Sequence, residues 1–335
     1  MRLRYRQQVT AAGVSVVALA LTLGACSSSS SSSAAGGSSA SGGASSSSGG
    51  SKLSGTLNAS GSTFQLTFQQ EAIAAFKSVQ PNMTVNYGGG GSGKGRTDLA
   101  SGTVNFAGSD SPIPAKEASG FTGKTILYFP VIIGPITMAY NLSGVSNLKL
   151  SPATIAGIFS GKIKTWNDPA IKADNSGANL PSTAITLAVR SDSSGTTQNF
   201  TQFLVDATGS AWSLGSSSTI KWPSSARAAS GNPGVAQVVK STAGAIGYVD
   251  YSTAKASGLT FAAVWQGGPN AYPITYQSWD LVNAKQPTAA DAANLKAYLG
   301  YLLGDGQKLL SEIGLAPLPS SIDQKAVAQL DKITS

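Results

Sequence analysis

Histidine is absent from all 335 residues, and cysteine occurs once, at Cys26. The first absence excludes Ser-His-Asp hydrolase triads, Cys-His proteases and histidine-ligated zinc. The second leaves no disulfide and no spare thiolate. Charge is sparse as well, with 15 Asp+Glu against 23 Lys+Arg. The carboxylates are scattered, without the close spacing of a metal site. No basic run interleaved with aromatics argues for nucleic acid, and there is no internal repeat.

What is present begins with a leader. MRLRYRQQVTAAGVSVVALALTLGAC places three arginines before an apolar run and small residues before the cysteine, the pattern of a secretory signal over residues 1–25. Leu23-Gly24-Ala25-Cys26 resembles a bacterial lipobox, so Cys26 is expected to be lipidated and to hold the protein at a membrane surface without a spanning helix. Residues 27–51 are almost wholly serine, glycine and alanine, too polar to order themselves around a core. With Cys26 they form a tether whose typical reach is about 25–30 Å. The folded part, from Lys52 to Ser335, is long enough for two domains. Once Arg2, Arg4 and Arg6 leave with the signal, the balance is 20 − 15 = +5, a modest excess that suits an anionic ligand.

Beyond the tether, strand-like and helix-like segments alternate, which argues for α/β layers with largely parallel strands. TVNY, VNFAG, TILYFPVIIGPITMAYN, AITLAVR and AIGYV read as strands by their β-branched and aromatic content. Phe64, Phe68, Ala72 and Phe76 recur at helical spacing, as do Phe200, Phe203 and Leu204. Another helix is expected at SPATIAGIF, with Ser151 as cap and Pro152 in the first position.

Three helix openings carry the same chemistry: Gly61-Ser62-Thr63, Ser92-Gly93, and Ser194-Gly195-Thr196. Each offers free backbone N–H groups and hydroxyl donors at the positive end of a helix dipole. One such loop is usually only a cap, but three at strand-to-helix turns favour a single converging anion site. Arg190, at a strand end four residues before Ser194, could fork onto the same anion. Asp110, taken alone, reads more readily as a turn residue.

The second opening also approaches the nucleotide-binding pattern G-x-x-x-x-G-K-[ST] through Gly88, Gly93 and Lys94, but Gly95 stands where the magnesium-holding hydroxyl belongs. A nucleotide-binding enzyme or a phosphate-ester hydrolase is therefore the alternative to a binding protein. Against the hydrolase stand the missing histidine and the scattered acids. Lys94 itself is either a solvated surface lysine or a contributor to the field that attracts anions.

GSTF, YGGGGSG, VNFAGSDSP, GKIKTWND, RSDSSGTTQNF, KWP, GNPGV and GAIGYVDY, in that order, resemble the phosphate-binding lipoproteins of ABC-type phosphate uptake. The resemblance runs from about Gly55 to Ser335. It implies a periplasmic-binding-protein type II fold, in which two α/β lobes, each a mixed sheet flanked by helices, close on the ligand like a hinged clamp. Residues 52–131 and 273–335 are expected to form the first lobe and 132–272 the second, with the hinge near Phe129–Pro135 and Tyr272–Tyr276. The resemblance places inorganic phosphate against the Thr63 hydroxyl, the Phe64 N–H, Ser92, Ser194, Gly195 and Thr196. Arg190 would supply positive charge, steered by Asp192. Asp110 would accept the ligand's remaining proton and repel fully ionised sulfate. It further implies a monomer without cofactor or catalytic residues, handing phosphate to permease subunits at the extracytoplasmic face of the cell membrane.

Overall fold

The computed structural model describes residues 53–265 and 272–335; the leader, Cys26 and the tether lie outside the described residues. The chain enters through β1 (Gly55–Gly61), α1 (Leu66–Val79), β2 (Met83–Gly90), α2 (Ser92–Ser101) and β3 (Phe106–Ser109). β2 and β3 flank β1 in parallel register. The expected stripe of α1 is buried at Phe68, Ala72 and Phe76. Phe64, the first of that series, precedes the helix and is buried in the loop, where its ring lies 4.6 Å from that of Tyr276.

The long strand β4 (Ile126–Tyr140) then carries the chain onward to β5 (Lys149–Leu150), α3 (Pro152–Phe159), α4 (Pro169–Asp174), β6 (Thr186–Arg190) and α5 (Gly195–Thr208). β7 (Arg227–Ala229), α6 (Gly231–Ser241), β8 (Ala245–Asp250), α7 (Tyr251–Ala256) and β9 (Thr260–Val264) complete this part. The chain returns along β10 (Thr275–Asn283) and ends in α8 (Ala289–Leu303) and α9 (Ser320–Val327). α3 starts as its sequence requires: Ser151 Oγ accepts the Thr154 N–H at 3.2 Å, behind Pro152 at the first position.

The strand order is β2-β1-β3-β10-β4-β8-β6-β7, with β9 pairing β4 and β5 to the side. Pairings in the outer parts are parallel, whereas β10 and β4 run antiparallel to their neighbours. The sequence expectation of largely parallel strands therefore holds only away from the middle. One strand leaves the first group and another re-enters it, and such a pair has to run in opposite directions. β4 belongs to both groups: Ile126–Pro135 pairs with β10, and Ile136–Tyr140 pairs with β8. The turns that follow β1, β2, β6 and β7 all lead directly into helices, which brings four helix starts toward the region where the two groups meet.

Candidate functional site

The β2–α2 turn is a single residue, Gly91, with φ of +89°. A Cβ there would strike the carboxylate of Asp192 and the carbonyl of Ser193, so only glycine admits the two groups of strands this close together. The contact is completed by the Gly93 N–H donating to Ser193 O at 3.0 Å. Ser92 is the first residue of α2 rather than its cap. Lys94 points elsewhere: its side chain is 55% exposed and pairs with Asp98 at 2.6 Å.

Asp110, just past β3, is the centre of the buried polar cluster. Its Oδ1 accepts from the hydroxyl of Ser62 and, at 2.6 Å, from that of Ser278. Its Oδ2 takes longer bonds from Ser92 Oγ at 3.5 Å and Thr196 Oγ1 at 3.3 Å. Burial raises its pKa, and the Ser278 and Ser62 hydroxyls and the charge of Arg190 oppose that rise. Oδ1 is thus held by two protein hydroxyls, and Oδ2 is the oxygen with weaker commitments. Ser92 Oγ in turn accepts the N–H groups of Asp110 at 3.1 Å and Gly195 at 3.2 Å. Ser194 caps α5, accepting the Thr197 N–H at 3.0 Å, which leaves its hydroxyl proton free to donate elsewhere. The Phe64 N–H donates to Ser62 Oγ at 3.0 Å.

Arg190 ends β6 with its guanidinium buried. Nε donates to Asp192 Oδ1 at 2.8 Å and Nη2 to Oδ2, a two-toothed pairing. Burial disfavours the arginine's charge, but the hydrogen bonds and charge of Asp192 outweigh it and raise its pKa. Burial likewise works against the ionised Asp192, yet the Arg190 fork and the Gly231 N–H hold its carboxyl below the usual range. Nη1 of Arg190 is buried without a protein partner. A guanidinium donor left over in such a place fits an oxyanion.

Ser92, Asp110, Gly195 and Thr196 are thus brought into one hydrogen-bonded cluster, which Thr63 joins through Asn232, with Arg190 and Asp192 beside it. Cys26 lies outside the described residues. The sequence reading omitted four contributors: Ser278 and Tyr276 on the returning strand β10, Asn199 on α5, and Asn232 on α6. Asn199 Nδ2 fastens Asp110 O at 2.6 Å, and the Tyr276 hydroxyl lies 3.5 Å from Thr196 Oγ1. Ser278 is 168 residues from Asp110, so no local pattern could reveal it. Asn232 falls in GNPGV, a motif carried by the resemblance without a role.

Asp110 is also held from behind. Arg96 on α2 is fully buried and forks onto Glu117 at 2.6 and 3.1 Å, while Nη1 reaches Ser109 and Ser111 at 3.1 and 3.2 Å. Glu117→Ala would leave that guanidinium buried without its counter-charge. Because the Glu117 side chain is 26% exposed and water can partly replace it, the expected loss is about 2–3 kcal/mol, below the fully buried case. Urea denaturation measures it, and a loss below about 0.5 kcal/mol would mean the fork contributes nothing beyond a surface pair.

Residues 46–311 match the family model of the PBP superfamily domain. Solved structures share the fold. A putative phosphate ABC transporter substrate-binding protein with bound phosphate from Clostridium perfringens superimposes with a TM-score of 0.63 at 16% identity, covering 79% of this chain and all of that one. A phosphate-binding protein from Stenotrophomonas maltophilia gives 0.67 at 20% identity, over 82% and 93%. The class is therefore that of the two-lobed periplasmic-binding proteins. Phosphate-binding protein PstS 3 of Mycobacterium leprae is 34% identical over 313 residues, 81% of this chain and 85% of that one. The chain belongs to the PstS family of phosphate-binding proteins.

Proposed function

We propose that the protein captures inorganic phosphate between its lobes and delivers it to the permease of an ABC transporter. The observation that carries this reading is the convergence of Thr63, Ser92, Asp110, Gly195 and Thr196 from both strand groups, next to the partnerless Nη1 of Arg190. The side chains of Arg190, Asp192 and Asp110 sum to one negative charge, so hydroxyl and N–H dipoles at helix starts have to do much of the anion binding. The phosphate ligands are Thr63, the Phe64 N–H, Ser92, Asp110, Arg190, Ser194, Gly195 and Thr196, with Asp192 steering Arg190. Phosphate reaching Gly195 and Phe64 replaces Ser92 Oγ and Ser62 Oγ as the acceptors of those N–H groups.

The first lobe comprises residues 52–131 and 273–335 and the second 132–272. β4 and β10 connect them, and the change of pairing partner at Pro135/Ile136 supports a hinge there. Ligand bound to both lobes favours the closed form, which the permease can recognise. The leader, the lipidated Cys26 and the tether put a monomer at the extracytoplasmic face of the cell membrane; among the described residues no helix is long and apolar enough to cross it. The protein acts by binding, without a catalytic step.

Titration calorimetry with phosphate, sulfate and ATP tests the reading. One-to-one phosphate binding without response to sulfate or ATP supports it, and preference for ATP would return the glycine-rich loop to the nucleotide-binding alternative. Asp110→Asn is expected to erode phosphate-over-sulfate discrimination by about a hundredfold or more, because an amide N–H can donate to the unprotonated oxygen a carboxylate repels. Undiminished discrimination in that variant would remove Asp110 from the selectivity role.

A further inference from the structure

Asn232 lies in the first turn of α6, fully buried, and makes two hydrogen bonds to the cluster. Its backbone N–H donates to Thr63 Oγ1 at 3.0 Å, across the cleft between the two strand groups. Its side-chain Nδ2 donates to Thr196 Oγ1 at 3.3 Å, and its Oδ1 has no protein partner. A hydroxyl owns one proton and two acceptor positions. Asn232 occupies an acceptor position on both threonine hydroxyls, one contributed by each strand group.

We infer that Asn232 is the positioning residue of the anion site: by donating to Thr63 and Thr196 it fills an acceptor position on each hydroxyl and leaves each a proton to give to the bound oxyanion, and its contact with Thr63 forms only when the cleft is closed. The inference rests on the phosphate-capture reading. Nothing else in the cluster combines these features. Tyr276 approaches Thr196 from β10 at 3.5 Å, at the limit of a hydrogen bond, and does not reach Thr63. Asp110 Oδ2 is an acceptor for Thr196 and can only draw its proton away from the ligand, so a donor on the other side of that oxygen is needed to raise its acidity. The N–H groups at the start of α6 are already spoken for, since Gly231 N–H goes to Asp192 and Asn232 N–H to Thr63. The same helix turn thereby braces the Arg190–Asp192 pair, one threonine directly and the other through an amide.

A double-mutant cycle on phosphate affinity tests this with the full-length chain, with Asn232→Ala, Thr196→Val and the double variant. Thermal melts confirm that each variant is folded. Asn232→Ala is expected to weaken phosphate binding about tenfold or more, as loss of support for a bond to a charged ligand implies. In the Thr196→Val background the same change should have no further effect beyond about twofold, because its target hydroxyl is gone. Asn232→Asp keeps the shape but turns the donor into an acceptor of the Thr196 proton, and should bind worse than Asn232→Ala. Losses that multiply independently, or an Asn232→Asp variant that binds like the parent, would overturn the positioning role while leaving phosphate capture intact. Failure of the parent chain itself to bind phosphate would overturn both.

Discussion

Arg190→Ala is expected to lower phosphate affinity by about two to three orders of magnitude, measured by calorimetry, with the fold retained. Two effects add in the same direction. The change removes a guanidinium whose Nη1 is buried beside the cluster without a protein partner, and a charged, buried donor of this kind supports several kcal/mol of binding. It also strands Asp192, whose carboxylate is held below its usual pKa by the Arg190 fork and which accepts otherwise only from the backbone. An uncompensated carboxylate beside the anion then repels it. Arg190→Lys should recover only part of the loss, because an ammonium cannot hold Asp192 with two teeth and still extend a donor to the ligand. If Arg190→Ala bound phosphate within about threefold of the parent, Arg190 would be a structural partner of Asp192 and the anion would be held elsewhere. Asp192→Asn offers a control. It keeps Arg190 but frees its fork, and a smaller loss there than in Arg190→Ala separates charge from orientation.

The parts of this site that could be read from the sequence are those that are local in the chain. Ser92-Gly93, Ser194-Gly195-Thr196 and Arg190 announce themselves because the same hydroxyl-and-glycine chemistry recurs at three strand-to-helix turns, where any one alone would usually be only a cap. The three helix openings do meet at one cluster, the first through Ser62 on Asp110 and the others through Ser92, Gly195 and Thr196. Long-range geometry was hidden. Ser278 reaches Asp110 only because β10 re-enters the sheet beside β3, and strand order is not written in local periodicity. Phe64 misled the helix boundary for a similar reason: its spacing fits the helical stripe, but its burial comes from packing on Tyr276 in the returning strand. The parallel pattern was over-extended because β4 is as β-branched and apolar as any parallel strand and composition does not record direction, while the more polar β10, TYQSWDLVN, carries no such strand signal. The ion pair of Arg96 with Glu117 was equally silent, since an arginine inside a glycine-rich helix reads as a surface charge until the fold closes over it.

Acidification from pH 8 to about pH 5 is expected to stabilise this protein. Asp280 on β10 is buried with no cation beside it, and its oxygens accept the Gln69 amide at 3.1 and 3.3 Å. Burial pushes its pKa up to about 7, against the partial relief of the Gln69 and Gln65 amides. Asp250, at the end of β8, is pushed up to about 6 by the same cause; its Oδ1 accepts Ser252 and Thr253, while Oδ2 has no partner. In the unfolded chain both return to about 3.9. Between about pH 4 and pH 7 the native state therefore holds more protons than the unfolded state, and stability falls as pH rises through that window. Asp98 and Asp192, whose pKa values are lowered, act with the opposite sign, but their contribution is lost only below the ordinary carboxylate range, so it does not cancel the effect. For Asp280 the full shift corresponds to an upper limit of about 4 kcal/mol. Asp280→Asn should flatten the dependence of the thermal midpoint on pH between 5 and 8, and should raise the midpoint at pH 8. Parallel profiles for parent and variant would show that Asp280 stays ionised throughout. The consequence reaches the proposed anion site, because Gln69 donates to Gln65 at 3.1 Å, Gln65 to Ser278 at 2.8 Å, and Ser278 to Asp110 at 2.6 Å. The Tyr298 hydroxyl fixes the sense of this chain by donating to Gln69 Oε1 at 2.7 Å. Ionisation of Asp280 thus pulls on the same relay that saturates Asp110 Oδ1, and phosphate affinity in Asp280→Asn should lose part of its pH dependence together with stability.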